Sequence, residues 1–578
     1  MKGTLLFLAL ALCSNLSAAL APAKSDGRQA PAATSRFTID AAQLSAAAAT
    51  IQTNDLMRHI RALSSDAFEG RLPGTRGEEV TVNYLIDQFR RIGLQPGNSN
   101  GKWIQDVPLA GVKSQLSGAL HFENRQGELQ FPQDIVAWSA HLDSKVVVQN
   151  SDMVFVGYGI QAPEYQWDDF KGQELRGKTL VMLVGDPPIP DPAEPARLDK
   201  SIFKGQAMTY YGRWTYKFEM GAKLGAAAVL VIHETGPAGY PWFVVVNSWG
   251  RENFSLNRPD RNKNEVPVTG WLSLERAQKL FSELGHDYQA IKKSALDRNF
   301  KPLPLRVKAS FTIENQIREV ASRNVLAKLP GRDPQRSSEY VIYTAHWDHL
   351  GKDERRTGDQ IFNGALDNAS GAAGLLELAE AFTRLSPAPT RGVLFAAVTA
   401  EEQGLLGAKY YVEQPPYAIE KTLANLNLDV LNPWGRRRDV RVIGLGNSSL
   451  EDLLTDAAEK RGRIVLEELM PEKGSYYRSD HFLFAKSGVP ALYLSGAGTE
   501  YAGQPPDFGR RKMLEYDDSD YHKVTDEIKP DWDLTGAADD LQLLFEVGCR
   551  VAEEDQWPIW KADSEFKPRR EEMLRRRP

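Results

Sequence analysis

Cysteine is almost absent from this chain. Of 578 residues only Cys13 and Cys549 are cysteines, and Cys13 lies in an apolar segment that is predicted to be removed. The single thiol that remains excludes an intrachain disulfide and a metal site built from cysteines. Cys549 sits in the helical apolar pattern LLFEVGCRVAEE, which predicts a buried packing residue. Any metal must therefore bind through His, Asp or Glu.

A strong charge of one sign is also missing. The formal net charge is -6 over 578 residues, and this small value gives no reason to expect a nucleic-acid partner. After the N-terminal segment, no apolar run is long enough to span a bilayer. The composition is that of an ordinary globular protein.

The first residues carry the pattern of an export signal. Lys2 supplies the positive start, residues 5–12 form a short apolar core, and residues 17–19 (Ser-Ala-Ala) supply a cleavage site. Cys13 raises the alternative of a lipoprotein, but Leu12 before it is larger than the residue usual there. We therefore predict a cleaved signal peptide and a periplasmic or secreted protein.

Length and local composition divide the chain into regions. A chain of 578 residues is too long for one hydrophobic core, so two or more domains are expected. The predicted order is a signal peptide (1–21), a flexible lead-in rich in Ala, Ser and Pro (22–49), the N-terminal part of the main domain (50–143), an inserted smaller β-rich α/β domain (144–318), the rest of the main domain (319–560) and a basic, solvated tail (561–578).

The last large region alternates strands and helices. Apolar runs such as VIYTAHWDH, RGVLFAAVTA, LANLNLDVL and VPALYLSG are separated by helical stretches. This alternation predicts an α/β fold with a mainly parallel mixed sheet that is flanked by helices. Functional sites in such sheets form at the carboxyl ends of the strands.

Five side chains of the metal-binding type lie at those strand ends or in nearby loops: His346, Asp367, Glu402, Asp429 and His522. Each has an ordinary explanation alone, such as a helix N-cap for Asp367 or a surface position for His522. A buried carboxylate without a partner costs several kcal/mol, so a cluster of carboxylates requires a cation or solvent. Two histidines and three carboxylates can hold two divalent ions if one carboxylate bridges them.

The order of the motifs resembles a known family. His-x-Asp, LDN-x-SG, Glu-Glu after an apolar strand, Asp after NLN, SDH-x-x-F and YH-x-x-x-DE follow one another along the chain. The set is similar to the M28 family of zinc aminopeptidases and carboxypeptidases. The opening SSDAFEGRLPGTRGEE resembles bacterial secreted members, and the middle region resembles a protease-associated (PA) domain. The resemblance implies a zinc-exopeptidase, phosphorylase/hydrolase-like fold interrupted by the PA insert.

The resemblance implies a ligand role for each of the five residues. Asp367 would bridge two Zn²⁺ ions. His346 and Asp429 would complete one site, and Glu402 and His522 would complete the other.

The resemblance also implies roles around the ions. Glu401 would be the general base that activates a bridging water, Asp348 would orient His346, and Tyr521 would stabilise the oxyanion. The motif that would line the same cleft consists of Ser479, Asp480 and His481.

The expected function is that of a secreted di-zinc metallopeptidase that acts on peptides, foremost an aminopeptidase. A carboxypeptidase of the same family would need a basic pocket, for which Arg436, Arg437 and Arg438 could supply charge, although a solvated loop explains them as well. A glutaminyl-cyclase-like transferase is a less favoured alternative, because that branch generally works with one zinc and this chain offers ligands for two. A non-catalytic PA-domain binding protein would be expected to have lost ligands.

Overall fold

Fourteen strands form one large sheet and six more form three two-stranded sheets within residues 39–575, the part of the chain that the computed structural model describes. The predicted signal peptide lies outside the described residues, as does the first part of the lead-in. The strands are β1 (Gln95–Pro96), β2 (Ile104–His121), β3 (Gln126–Leu129), β4 (Ile135–Trp138), β5 (Lys145–Phe155), β6 (Gln161–Ala162), β7 (Trp167–Asp168), β8 (Thr179–Leu183), β9 (Ala228–Ile232), β10 (Glu252–Leu256), β11 (Val268–Leu272), β12 (Leu303–Leu329), β13 (Tyr340–His346), β14 (Gly351–Lys352), β15 (Ile361–Phe362), β16 (Gly392–Val398), β17 (Thr422–Asn427), β18 (Asp439–Val442), β19 (Ile464–Glu467) and β20 (Ala491–Tyr493).

Helices surround this sheet along its length. They are α1 (Ala41–Ala48), α2 (Thr53–Leu63), α3 (Arg76–Ile92), α4 (Trp214–Lys223), α5 (Thr235–Ala238), α6 (Trp242–Trp249), α7 (Leu274–Glu283), α8 (Tyr288–Ser294), α9 (Ser370–Thr383), α10 (Leu406–Glu413), α11 (Leu450–Glu459), α12 (His481–Lys486), α13 (Phe508–Ser519), α14 (Thr535–Glu553) and α15 (Lys567–Arg575). Within residues 39–575, none of them combines the length and the apolar character that crossing a membrane requires.

The C-terminal end of the sheet is mainly parallel, as predicted. Its order is β12-β16-β13-β17-β20, and all neighbours from β16 to β20 are parallel while β12 is antiparallel to β16. Every residue of β13 and β16 is buried because helices cover both faces. The carboxyl ends of the parallel strands therefore share one edge of the sheet.

Alternate residues of these strands enter two different cores. In β13, Val341 and Tyr343 face the core that holds α9 and α14. Tyr340 and Ile342 face the core that holds Tyr411 of α10. This period of two is what a strand buried on both sides requires.

The middle region builds a core of its own on the same sheet. Strands β5, β8, β9 and β11 are parallel neighbours, and β4 closes the edge in the antiparallel sense. Strand β12 joins the two halves, because Phe311 and Ile313 lie in the core of the middle region while Val325 and Ala327 lie in the main core.

Two terminal segments are more ordered than the sequence predicted. The end of the lead-in forms α1, which Asp40 caps by accepting a hydrogen bond from the Ala42 N–H at 3.3 Å, and Ala47 and Ala48 are buried in the main core. The tail is not simply solvated, because it includes α15. Arg570 of that helix is buried and donates to the Thr422 carbonyl at 3.3 Å.

Helix α14 packs directly against β13 through a glycine. The hydroxyl of Tyr343 donates to the Leu544 carbonyl at 2.7 Å, and a Cβ on Gly548 would lie 1.8 Å from that hydroxyl oxygen. Cys549, next to this glycine, is buried as predicted.

Replacing Gly548 by Ala is expected to force Tyr343 or α14 to move. We expect Gly548→Ala to lower the free energy of unfolding by roughly 1–3 kcal/mol, as overpacking in a core does, measured by denaturant titration. Gly236→Ala is the matched control, since no atom lies within 4 Å of the added Cβ. Equal stability of the two variants would contradict this packing.

Candidate metal centre

The five predicted ligands meet at the carboxyl edge of the parallel sheet. His346 is the last residue of β13, Glu402 follows β16, and Asp429 follows β17. Asp367 lies in the turn that leads into α9, and His522 follows α13. Neighbouring parallel strands end at the same edge, so residues far apart in sequence come together.

One cluster forms around His346. Its Nε2 lies 3.2 Å from Oδ1 of Asp367 and 3.3 Å from Oδ1 of Asp429. The His346 side chain is buried, and the two carboxylates are nearly so. Ser479 donates to the other oxygen of Asp429 at 2.6 Å, which fixes that carboxylate.

A second cluster forms around Glu402. The Nε2 atom of His522 lies 2.9 Å from Oε2 of Glu402 and 3.4 Å from Oδ2 of Asp367. The Nδ1 atom of His349 lies 2.5 Å from Oε1 of Glu402. Asp367 thus takes part in both clusters, one oxygen facing each.

These spacings fit shared cations. Two ligand atoms that each lie about 2.0–2.2 Å from a tetrahedral zinc ion are separated by roughly 3.3–3.6 Å. The distances of 3.2, 3.3 and 3.4 Å from the two histidines to Asp367 and Asp429 are close to that range. Imidazole nitrogens and carboxylate oxygens are donors that suit zinc.

Glu401 lies beside the ligands without joining either cluster. Its Oε2 is 4.0 Å from Nε2 of His346. Burial raises the pKa of Glu401 well above its usual value, and the nearby Asp429 raises it further. Burial alone would raise the pKa of Glu402 as well, but His522 and His349 outweigh it and lower that pKa to about 2. Adjacent carboxylates with opposite shifts are suited to different tasks.

Asp348 was expected to orient His346, but its carboxylate bonds to another residue. Its carboxylate oxygen lies 3.8 Å from Nδ1 of His346, which is too far for a hydrogen bond. The backbone carbonyl of Asp348 lies 3.2 Å from that nitrogen instead. The carboxylate accepts the Glu401 N–H at 3.1 Å, so Asp348 contacts both a ligand and the adjacent glutamate.

The remaining predicted residues lie around the clusters. Tyr521 is 39% exposed, and its ring stacks on His522 at 3.8 Å. Asp480 is buried, and its oxygens have no hydrogen-bond donor among residues 39–575. His481 packs between Tyr476 and Tyr493 at ring distances of 4.6 and 4.9 Å.

Three residues that contact the site were not predicted from the sequence. His349 belongs to the quoted HWDH motif, and Asp526 belongs to YH-x-x-x-DE. Asp526 accepts the N–H of Asp367 at 3.1 Å. Arg71, in the quoted GRLPGTRG loop, is buried and donates to the carbonyls of Trp347 at 2.9 Å and Gly364 at 2.9 Å. It thereby ties the His346 loop to the Asp367 loop.

The comparison with protein families agrees with this geometry. Residues 324–545 match the model described as Peptidase family M28. That part of the chain is similar to this family. The match includes every residue of the two clusters.

Relatives with assigned names match over limited lengths. Leupeptin-inactivating enzyme 1 of Streptomyces exfoliatus is 28% identical over 208 residues, which are 36% of this chain and 43% of the relative. Leucine aminopeptidase 2 of Trichophyton rubrum is 27% identical over 215 residues, 36% of this chain and 40% of the relative. The match therefore spans less than half of each relative.

A solved structure resembles the chain over most of its length. The aminopeptidase from Aneurinibacillus sp. strain AM-1 aligns with 90% of this chain and 98% of its own, at 18% identity and a TM-score of 0.48.

Replacing His349 by Phe should weaken metal binding while an aromatic ring still fills the space of the imidazole. We expect His349→Phe to lower zinc affinity roughly 10- to 100-fold, as loss of a group that orients a ligand does, measured by competition with a chelator. His481→Phe is the matched control, because the ring nitrogens of His481 have no hydrogen-bond partner in the described part of the chain. Equal zinc affinity of the His349 variant and the wild type would refute this role.

Proposed function

We propose that the protein is a secreted metallo-exopeptidase that holds two zinc ions and releases N-terminal residues from peptides. The observation that carries the proposal is Asp367, whose two carboxylate oxygens face His346 and His522 at 3.2 and 3.4 Å. A carboxylate between two such clusters is suited to bridging a pair of ions. The match of residues 324–545 to peptidase family M28 supports the reaction class.

The metal ions and the protein would divide the chemistry of hydrolysis. When bound, two zinc ions supply Lewis acidity at the scissile carbonyl and lower the pKa of an attacking water. Glu401 takes the proton of that water at Oε2 and passes it to the leaving amine. Tyr521 is exposed beside His522 and donates its hydroxyl to the oxyanion. Ser479 and Asp348 hold Asp429 and Glu401 in place.

The contacts of the basic loop favour cleavage at the N-terminal end of a peptide over cleavage at the C-terminal end. A carboxypeptidase would need these arginines to form a basic pocket. Arg436, Arg437 and Arg438 pair with Asp539, Asp540 and Glu500 at 3.0, 2.8 and 3.3 Å. Arg437 is buried rather than solvated. Arg437 is therefore committed to Asp540, whereas Arg436 and Arg438 lie in an exposed loop. The match to a leucine aminopeptidase supports the same direction.

We also propose that the protein is exported and that its inserted middle region acts on substrate access. Cys549 is the one cysteine among residues 39–575 and is buried as a free thiol, which is compatible with a periplasmic or secreted location. The middle region, which we propose is a PA domain, reaches the site: Tyr210 packs on Phe482 at 4.8 Å, close to Ser479. We propose that it restricts the size of the substrate.

The assignment of Glu401 gives a direct test. Glu401→Ala should keep its zinc and lose roughly 10²- to 10⁴-fold in kcat, because general-base help contributes about that much. Steady-state kinetics on leucyl amides, with metal analysis of the same samples, measure both quantities.

Glu402→Ala serves as the contrast, since it should lose metal as well as turnover. N-acylated peptides with a free carboxyl end, tested in parallel, report carboxypeptidase activity. Near-normal turnover of Glu401→Ala would overturn the assignment.

A further inference from the structure

Left-handed backbone is concentrated at the metal centre. Within residues 324–545, all of which the structure describes, four residues other than glycine have a positive φ: Ala400 at 52°, Leu405 at 61°, Val430 at 56° and His522 at 57°. One of them is a predicted ligand, one directly follows a predicted ligand, and two lie at the ends of the turn that carries a third. A residue with a Cβ is disfavoured in this conformation, and such strain persists only where the surrounding structure enforces it.

Two of these residues, Ala400 and Leu405, begin and end the turn that carries both glutamates of the site. The N–H of Leu405 donates to the Glu401 carbonyl at 2.9 Å, and the N–H of Leu406 donates to the Ala400 carbonyl at 3.0 Å. Because Ala400 directly precedes Glu401, its φ sets the direction in which the chain leaves strand β16. The positions of both carboxylates therefore depend on a strained alanine.

Strand β10 of the middle region packs on this turn. Phe254 of β10 belongs to one buried cluster with Ala400 and Leu406. Phe254 is 6% exposed, and Ala400 is fully buried. The backbone N–H of Phe254 donates to Oε1 of Gln403 at 3.4 Å, and Gln403 directly follows Glu402. A strand outside residues 324–545 thus supports the turn that holds both glutamates.

The flanks of the turn are fixed separately. The Asn324 side chain accepts the N–H of Thr399 at 3.0 Å and donates to the Gly407 carbonyl at 3.0 Å. These two hydrogen bonds fix the chain before and after the turn, while the conformation of Ala400 itself depends on packing. Phe254 has the largest buried side chain of the cluster that contains Ala400.

We propose that Phe254 of the middle region is a positioning residue for Glu401 and Glu402. It fills the space around Ala400 and its N–H bonds to Gln403, which together hold the turn in its left-handed conformation. In that conformation Glu402 joins the second metal cluster and Glu401 lies beside the ligands. The proposal rests on the proposed function and goes further, because the middle region supports the catalytic groups as well as limiting the access of substrate.

Removal of the Phe254 ring tests this role. Phe254→Ala should lower the zinc affinity of the chain about 10- to 100-fold, as loss of a group that orients a ligand does, measured by competition with a chelator. In the same samples kcat on a leucyl amide should fall roughly 10- to 100-fold, while KM should change less than about threefold, because the substrate contacts are intact and the catalytic groups are displaced.

A matched control separates this role from a loss of core packing. Phe281 is fully buried in the core of the middle region, where its ring packs on Phe155 at 5.5 Å. Phe281→Ala should therefore lower the Tm but keep the zinc affinity and kcat of the wild type. A loss of zinc affinity that is equal in Phe254→Ala and Phe281→Ala would exclude a specific role for Phe254.

A second substitution tests whether strain at Ala400 is the cause. Glycine adopts a positive φ readily, so Ala400→Gly should keep the turn in place with less support from Phe254. The loss of zinc affinity caused by Phe254→Ala should therefore be at least about threefold smaller when Ala400→Gly is also present, as a double-mutant cycle measures. An equal loss with and without Ala400→Gly would show that the strained turn is not what Phe254 supports.

The zinc measurements decide the proposal without reference to catalysis. If Phe254→Ala does not fold, Phe254→Val keeps an apolar residue that suits a strand and should lower zinc affinity roughly tenfold. Unchanged zinc affinity in the folded variant would rule the proposal out. A wild-type chain that binds zinc but does not cleave leucyl amides would contradict the proposed function, and the zinc affinity of the Phe254 variants would still test the support of the turn.

Discussion

Negative charge buried at one edge of a parallel sheet is the constraint on which the rest of this structure depends. Asp367, Glu401, Glu402 and Asp429 converge there with little exposure to water. Acids at such short range repel each other, and burial makes their ionised forms costly. Histidines 346, 349 and 522 offset part of this cost, and divalent ions would offset the remainder. Metal binding and the stability of this edge are therefore coupled.

The chain supports this edge mainly through hydrogen bonds to backbone groups of the ligand-bearing loops, which leaves charged oxygens available for ions. Arg71 donates its hydrogen bonds to backbone carbonyls of the ligand-bearing loops rather than to the acids. Asp526 accepts the backbone N–H of Leu366 and of Asp367. Asn427 donates to Ser479, which in turn donates to Asp429. Each contact fixes the position of a ligand without neutralising it.

Much of the site was predictable, because it follows from strand order. Acids and histidines at the ends of apolar runs had to meet once the runs formed a parallel sheet, and His346, Asp367, Glu402, Asp429 and His522 do meet. His349 was missed because its role depends on a contact with Glu402, 53 residues away in sequence. Arg71 looked like a loop residue because its partners lie 276 and 293 positions further on. Contacts of this kind leave no local pattern in a sequence. Helix α1 was missed for a similar reason, since its burial against the main core outweighs the flexibility that its composition suggested.

Zinc stoichiometry is the sharpest test of a carboxylate that two ions share. Native mass spectrometry of the purified chain, after dialysis against zinc, counts the ions that each molecule holds. We expect two ions for the wild type, one for Asp429→Ala, and loss of both for Asp367→Ala, whose carboxylate both clusters share. A wild-type chain with one ion or none, or an Asp367→Ala chain that retains two, would contradict it.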